Sequence, residues 1–230
     1  MATERRVAAR LALALVIVAC DAPTYPVEAP AYDPTLLSGN MVYRWRSGRT
    51  IVVYPDPTSA PAGFDIGSTV RDAAERWNDA TRFADYRLAV TSRASDADVI
   101  VRFRSAPLMV DLRGCEPAGG GAGRTAFCTD SNPVPVLPFL ATGGGHVKVD
   151  VYVDPTGRTA EQLAPFGLTP QTYFQALVTH ELGHVLGIGG HSDFEHTEDV
   201  MNSFPRVTAP SERDIRTLRW VWRQPVDLLL

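Results

Sequence analysis

Between Thr169 and Gly187 the chain carries a helix bounded on both sides by local chemistry, and that helix presents two histidines one turn apart. Thr169 supplies a side-chain cap and Pro170 a first helical residue that has no N–H to lose. Gly187 supplies the stop, because a helix end commonly needs a left-handed residue. His180 and His184 are four apart, so both project from one face. Two imidazoles so placed reach one ion at about 2.0–2.1 Å, while Glu181 projects roughly 100° around the helix, beside the ion without ligating it.

The rest of the chain is rich enough in apolar residues, 45% of 230, to form one sizeable core, and its charge of -4 is ordinary for a globular protein. Except for Lys148, all 22 basic residues are arginine, and they are scattered rather than gathered into a face. Nucleic acid is therefore not an expected partner. No period of 20–50 residues repeats.

Arg5, Arg6 and Arg10 precede an apolar run from Leu11 to Ala19, the order of a secretory signal peptide and too short to span a bilayer. Ile17-Val18-Ala19-Cys20 resembles a bacterial lipobox, which implies lipidation of Cys20, export, and a membrane anchor at the cell envelope; an ordinary signal peptide is the alternative. With Cys20 so used, Cys115 and Cys128 form the one remaining pair. A disulfide between them would contribute about 3 kcal/mol by restricting the unfolded chain. Two free thiols are the other reading. Residues 20–40 hold Pro23, Pro26, Pro30 and Pro34 and read as an extended tether.

From Met41 the pattern becomes globular. Val42–Arg46 and Thr50–Tyr54 alternate as strands around Ser47-Gly48-Arg49, a hairpin turn. Ile66, Val70, Ala73, Ala74, Trp77 and Ala80 recur at helical spacing after a capping Asp65, and the tryptophan face is expected against the sheet. Tyr86–Thr91, Asp98–Phe103 and Gly145–Asp154 read as further strands, the last with Val147, Val149, Val151 and Val153 on one face. About forty residues between Ser105 and Gly144 show no period. A last helix begins near Ser211 and carries Ile215, Leu218 and Trp220-Val221-Trp222.

With these residues in place the chain resembles the metzincin zinc endopeptidases, whose signature is His-Glu-x-x-His-x-x-Gly-x-x-His followed by a Met-turn. His180, Glu181, His184 and Gly187 match in order, and Val200-Met201-Asn202 looks like the Met-turn. Ser192, Ala97–Phe103 and Ser211–Leu218 look like parts of the matrixin branch. The resemblance covers roughly residues 41–224. It implies an α+β fold with a twisted mixed sheet, two long helices, a cleft, an upper subdomain over 41–187 and a smaller lower one over 188–224 that ends in a helix, with 225–230 as a tail. It also implies one catalytic Zn2+, Glu181 as base, Met201 beneath the metal, a specificity loop over Ser203–Pro210, and an extended protein or peptide substrate cleaved by a monomer.

The sequence departs from the signature at one point. The third ligand belongs where Gly190 stands, and the histidine follows one residue later as His191. Gly189 and Gly190 are expected to absorb the extra residue through conformations closed to other side chains. His191 is the assigned ligand, with Asp193 and His196 as alternatives. His146 lies on the polar face of its strand and reads as solvated. No cysteine switch and no second zinc site are recognisable. Asp130, Asp150 and Asp154 are oxygen donors of the kind calcium uses, but each reads first as a solvated acid. If Gly145–Asp154 is the sheet edge above the cleft, an extended substrate would add there by strand pairing. Two other functions stay open: a non-catalytic zinc-binding surface lipoprotein, and a zinc amidase acting on cell-wall peptides.

Overall fold

The computed structural model describes residues 28–36, 40, 42–59, 62–84, 86–103, 123–129, 132–136, 147–154, 157–225 and 228–229. The chain folds as α+β around a mixed six-stranded sheet. Its strands are β2 (Thr50–Asp56), β3 (Arg87–Val90), β4 (Val99–Phe103), β5 (Gly123–Thr129), β6 (Asn132–Val136) and β7 (Val147–Val153), in the order β3-β2-β4-β7-β5-β6. The first four in that order are parallel, and β5 and β6 run antiparallel to their neighbours. A separate two-stranded sheet joins β1 (Tyr43–Arg44) to β8 (Leu228–Leu229).

Among the described residues lie four α-helices: α1 (Ile66–Ala80), α2 (Ala160–Leu163), α3 (Pro170–Val185) and α4 (Glu212–Arg223). Their starts obey local chemistry. Asp65 accepts from Ser68 N–H, and Thr169 and Ser211 each form a reciprocal cap with the residue three further on. The parallel strands are knit by a side chain as well, since Asp98 accepts from Val52 N–H at 2.9 Å and from Arg49 at 2.5 Å.

Three expectations are corrected. The segments 42–46 and 50–54 do not form a hairpin: β1 pairs in parallel with the C-terminal β8, and β2 pairs with β3 and β4. Strand β7 is not a sheet edge, because β4 lies on one side and β5 on the other. The aperiodic stretch 105–144 contains β5 and β6, whose pairing is long-range and leaves no strong alternation in the sequence.

The tether also ends earlier than expected. Tyr32 and Pro34 are buried against the domain, Ala31 N–H donates to Thr217 Oγ1 at 3.0 Å, and Glu28 pairs with Arg216 on α4. Folded structure therefore begins ahead of residue 41.

Helix α3 is the centre of the molecule. Every residue from Ala176 to Gly190 is buried, as befits a helix that is apolar all round. Trp77 turns toward α3 rather than only onto the sheet, and its indole N–H donates to Thr179 O at 2.7 Å. At the far end three aromatic donors meet carbonyls of the helix's last turn and cap: Tyr43 Oη on His184 O at 2.6 Å, Trp45 Nε1 on Val185 O at 2.8 Å, and Trp222 Nε1 on Leu186 O at 3.2 Å. Gly187, at φ 119°, ends the helix, with Gly187 N–H on His184 O and Ile188 N–H on Gly183 O. A Cβ at Gly187 would stand 2.7 Å from Tyr43 O, so close approach and positive φ both require glycine there.

Candidate metal centre

The last two turns of α3 and the loop that follows bring three imidazoles together. His180 Nε2 and His184 Nε2 are 3.1 Å apart, and His191 Nε2 lies 3.3 Å from His184 Nε2. Each of the first two rings is oriented from behind. His180 Nδ1 is 2.8 Å from Val200 O, and His184 Nδ1 is 2.6 Å from Ile188 O. A carbonyl only accepts, so each Nδ1 carries the proton and each Nε2 presents a bare lone pair.

The electrostatics keep the rings neutral. Burial, followed by the neighbouring imidazoles His184 and His191, holds His180 well below the ordinary histidine range. Burial and then His191 push His184 down to about 3, and burial lowers His191. All three rings are neutral at pH 7. The bare lone pairs of His180 and His184, 3.1 Å apart, repel one another unless a cation sits between them, and His191 Nε2 joins them 3.3 Å from His184. Tetrahedral coordination with bonds of 2.0–2.1 Å puts ligand nitrogens about 3.3–3.4 Å apart, so the spacing fits a small tetrahedral ion. The cluster is a site that could hold a metal ion.

His191 is thus the residue that meets the pair. Asp193 is exposed, and His196 is engaged with Glu198 at 2.9 Å. The extra loop residue is absorbed differently from the expectation, because neither Gly189 nor Gly190 has a positive φ. Gly190 is required by contact: a Cβ there would overlap the carbonyl oxygen of Asp33.

Glu181 is buried, 2% exposed, and leaves α3 toward strand β5. Thr125 Oγ1 lies 2.7 Å from Glu181 Oε2 and 3.1 Å from Glu181 O. Gly123 makes the room, since a Cβ there would overlap Oε1 of the same carboxylate. The acid is held beside the histidines by its neighbours on a different element and takes no place among the three nitrogen ligands.

Met201, wholly buried, packs its sulfur against Gly183 so closely that no Cβ fits there, with Trp77 Cζ2 at 2.8 Å from the same point. Ser192 N–H donates to Met201 O at 3.0 Å, and Ser192 pairs with Asn202 in a parallel bridge. Asn202 Nδ2 reaches the carbonyls of Asp193, Phe194 and His196 at 3.0–3.3 Å. The loop carrying His191 is thereby fastened to the turn carrying Met201.

Sequence reasoning missed Thr125, Tyr32 and Asp214. Asp214 is buried on α4 and accepts from Val200 N–H at 2.9 Å, Ser211 N–H at 2.9 Å and Tyr32 Oη at 2.7 Å. Its only local signal was the Ser-x-x-Asp spacing from Ser211, which reads as a helix cap.

A second cluster, His196, Glu198 and Asp199, has ligand atoms close enough for an ion. Arg213 already occupies that position, with Nε 2.9 Å from Asp199 Oδ2. Cys20, Cys115, His146 and Asp130 lie outside the described residues, as do the side chains of Cys128 and Asp150, so the lipidation and disulfide expectations rest on the sequence. Among the described residues no helix is long and apolar enough to cross a membrane. Compared with known protein families and with curated proteins, the chain finds no match.

Proposed function

We propose that the protein is a zinc-dependent endopeptidase of metzincin type, with His180, His184 and His191 as metal ligands and Glu181 as general base. The observation that supports this most strongly is the combination of three neutral imidazoles converging at tetrahedral spacing with a restrained carboxylate beside them. A structural zinc site is commonly closed by four side chains, whereas three histidines keep one position open. When bound, zinc would supply a Lewis acid for the scissile carbonyl and acidify a water.

The chain's own residues would do the rest. Val200 O and Ile188 O keep the proton on the outer nitrogen of His180 and His184, so the inner nitrogens stay available. Glu181 would take a proton from the attacking water and deliver it to the leaving amine. Thr125 would hold the carboxylate rotamer for both transfers. Met201 and Trp77 would set the floor beneath α3.

The substrate edge moves from β7 to β5. The partners of β6 on β5 are Phe127 and Thr129, and Gly123–Ala126 pair with β7 on their other side. That half of β5 lies next to Glu181, so an extended peptide adding there by backbone hydrogen bonds would pass the base. This mode reads main chain and favours unfolded segments of proteins. The signal-like N-terminus and Cys20 support an exported, lipid-anchored enzyme whose substrates lie outside the cytoplasm.

The test is cleavage of an unfolded protein by purified protein loaded with zinc, with and without a chelator, followed by mass spectrometry of the products. Chelator-sensitive internal cuts, absent in Glu181→Ala, are expected. Release confined to cell-wall peptide amides, with no cuts in protein, would move the assignment to an amidase.

A further inference from the structure

We propose that the N-terminal segment Ala31–Pro34 is a positioning element of the metal centre, holding the loop of His191 directly and the backbone behind His180 through Asp214. The inference rests on the three histidines binding metal and is independent of peptide cleavage.

Two contacts carry it. The first is at Gly190, the residue by which this loop is one longer than the signature it resembles. The Asp33 carbonyl lies over its Cα so closely that even a methyl group would overlap it, and Pro34, buried, closes the same approach. The loop from Ile188 to His191 is therefore pinned between α3 and the segment. The second contact is Tyr32, whose hydroxyl donates to Asp214 Oδ1 at 2.7 Å. Asp214 Oδ2 accepts from Val200 N–H at 2.9 Å, and the carbonyl of the same Val200 orients His180 at 2.8 Å. Ala31 N–H on Thr217 Oγ1 fixes the segment along α4. One segment of four residues thus braces two of the three ligands from behind, and groups that orient ligands typically change metal affinity by 10–100-fold when removed.

The segment explains the displaced histidine. An extra residue in a ligand loop adds freedom that would cost affinity, and packing the added glycine under a fixed carbonyl removes that freedom. A side chain at position 190 would push segment and loop apart.

The experiment is zinc affinity of the full chain by competition with a chromogenic chelator, for wild type, Tyr32→Phe, Gly190→Ala and the double variant. Val70→Ala, a cavity in the α1 core, controls for lost stability alone, and Glu28→Ala removes only the exposed ion pair to Arg216. Each strap variant is expected to weaken zinc by about 10-fold or more. The double variant should lose less than the product of the two, because a segment freed at Tyr32 can retreat from the new methyl. Val70→Ala and Glu28→Ala should bind as wild type. Strap variants with wild-type affinity, or with losses no larger than that of Val70→Ala at equal loss of stability, overturn the proposal. Wild type that binds no zinc overturns the metal reading beneath it, whereas zinc bound without protein cleavage leaves this proposal standing and removes only the peptidase.

Discussion

Replacing Asp214 by alanine strips a buried acceptor from three short hydrogen bonds: Tyr32 Oη at 2.7 Å, Val200 N–H at 2.9 Å and Ser211 N–H at 2.9 Å. A fourth, longer bond comes from buried Met201 N–H at 3.4 Å, and the donors are not equally stranded. Ser211 is half-buried and can turn to water, and Tyr32, 8% exposed, lies near the surface. Val200 is wholly buried, so its N–H stays dry, which costs about 1–3 kcal/mol. Losing the other two bonds adds about 1 kcal/mol each. Part of this is offset, because burial raises the Asp214 carboxyl and the charged form is itself costly to keep inside. The net expectation is a loss of about 3 kcal/mol, a large share of the 5–15 kcal/mol that holds a typical domain together. Urea unfolding of the zinc-free protein measures it, with Asp214→Asn as an intermediate case that keeps one acceptor. A loss below about 1 kcal/mol in Asp214→Ala would refute the assignment of Asp214 as the joint between the N-terminal segment, α4 and the Met201 turn.

Other outcomes follow from the same geometry. Thr125→Val keeps shape but removes the hydroxyl that holds Glu181; turnover should fall with KM and zinc content unchanged, and Thr125→Ser should restore it, which steady-state kinetics would show. Tyr43→Phe removes one donor from the His184 carbonyl, which keeps Gly187 N–H at 3.1 Å, and should cost about 1 kcal/mol in urea unfolding. In the zinc-free protein the histidines are neutral when folded and titrate near 6.5 when unfolded, so stability is complete above pH 6.5 and falls as the pH drops toward the folded values. With His184 at about 3, that residue alone removes about 2 kcal/mol by pH 5, visible in urea midpoints at pH 7 and 5. Adding zinc at about 1,000 times its dissociation constant should add about 4 kcal/mol at pH 7, measured as a rise in midpoint.

Local chemistry was legible where one element defines its own ends. Thr169, Pro170 and Gly187 bound α3, Asp65 bounds α1 and Ser211 bounds α4, because caps act within three or four residues. The ligand pair is legible for the same reason, since four residues of helix bring its two rings to one face. What stayed hidden depends on partners far along the chain. The hydroxyl of Tyr32 meets Asp214 across 182 residues and Thr125 meets Glu181 across 56, with no periodicity at either end to announce it. The strong alternation of β7 reports which faces differ and not which neighbours flank the strand, so its place between β4 and β5 is not legible there. The pair of glycines before His191 suggested unusual dihedrals, whereas the structure uses Gly190 for clearance beneath Asp33.

The central claim is that His180, His184 and His191 hold one ion while Glu181 stays out of its coordination. Zinc per chain, measured after dialysis on wild type, the three histidine-to-alanine variants and Glu181→Ala, tests it most directly. Close to one zinc is expected in wild type and Glu181→Ala, and loss of zinc in all three histidine variants, His191→Ala included. Full zinc retention in His191→Ala, or loss in Glu181→Ala, would contradict it.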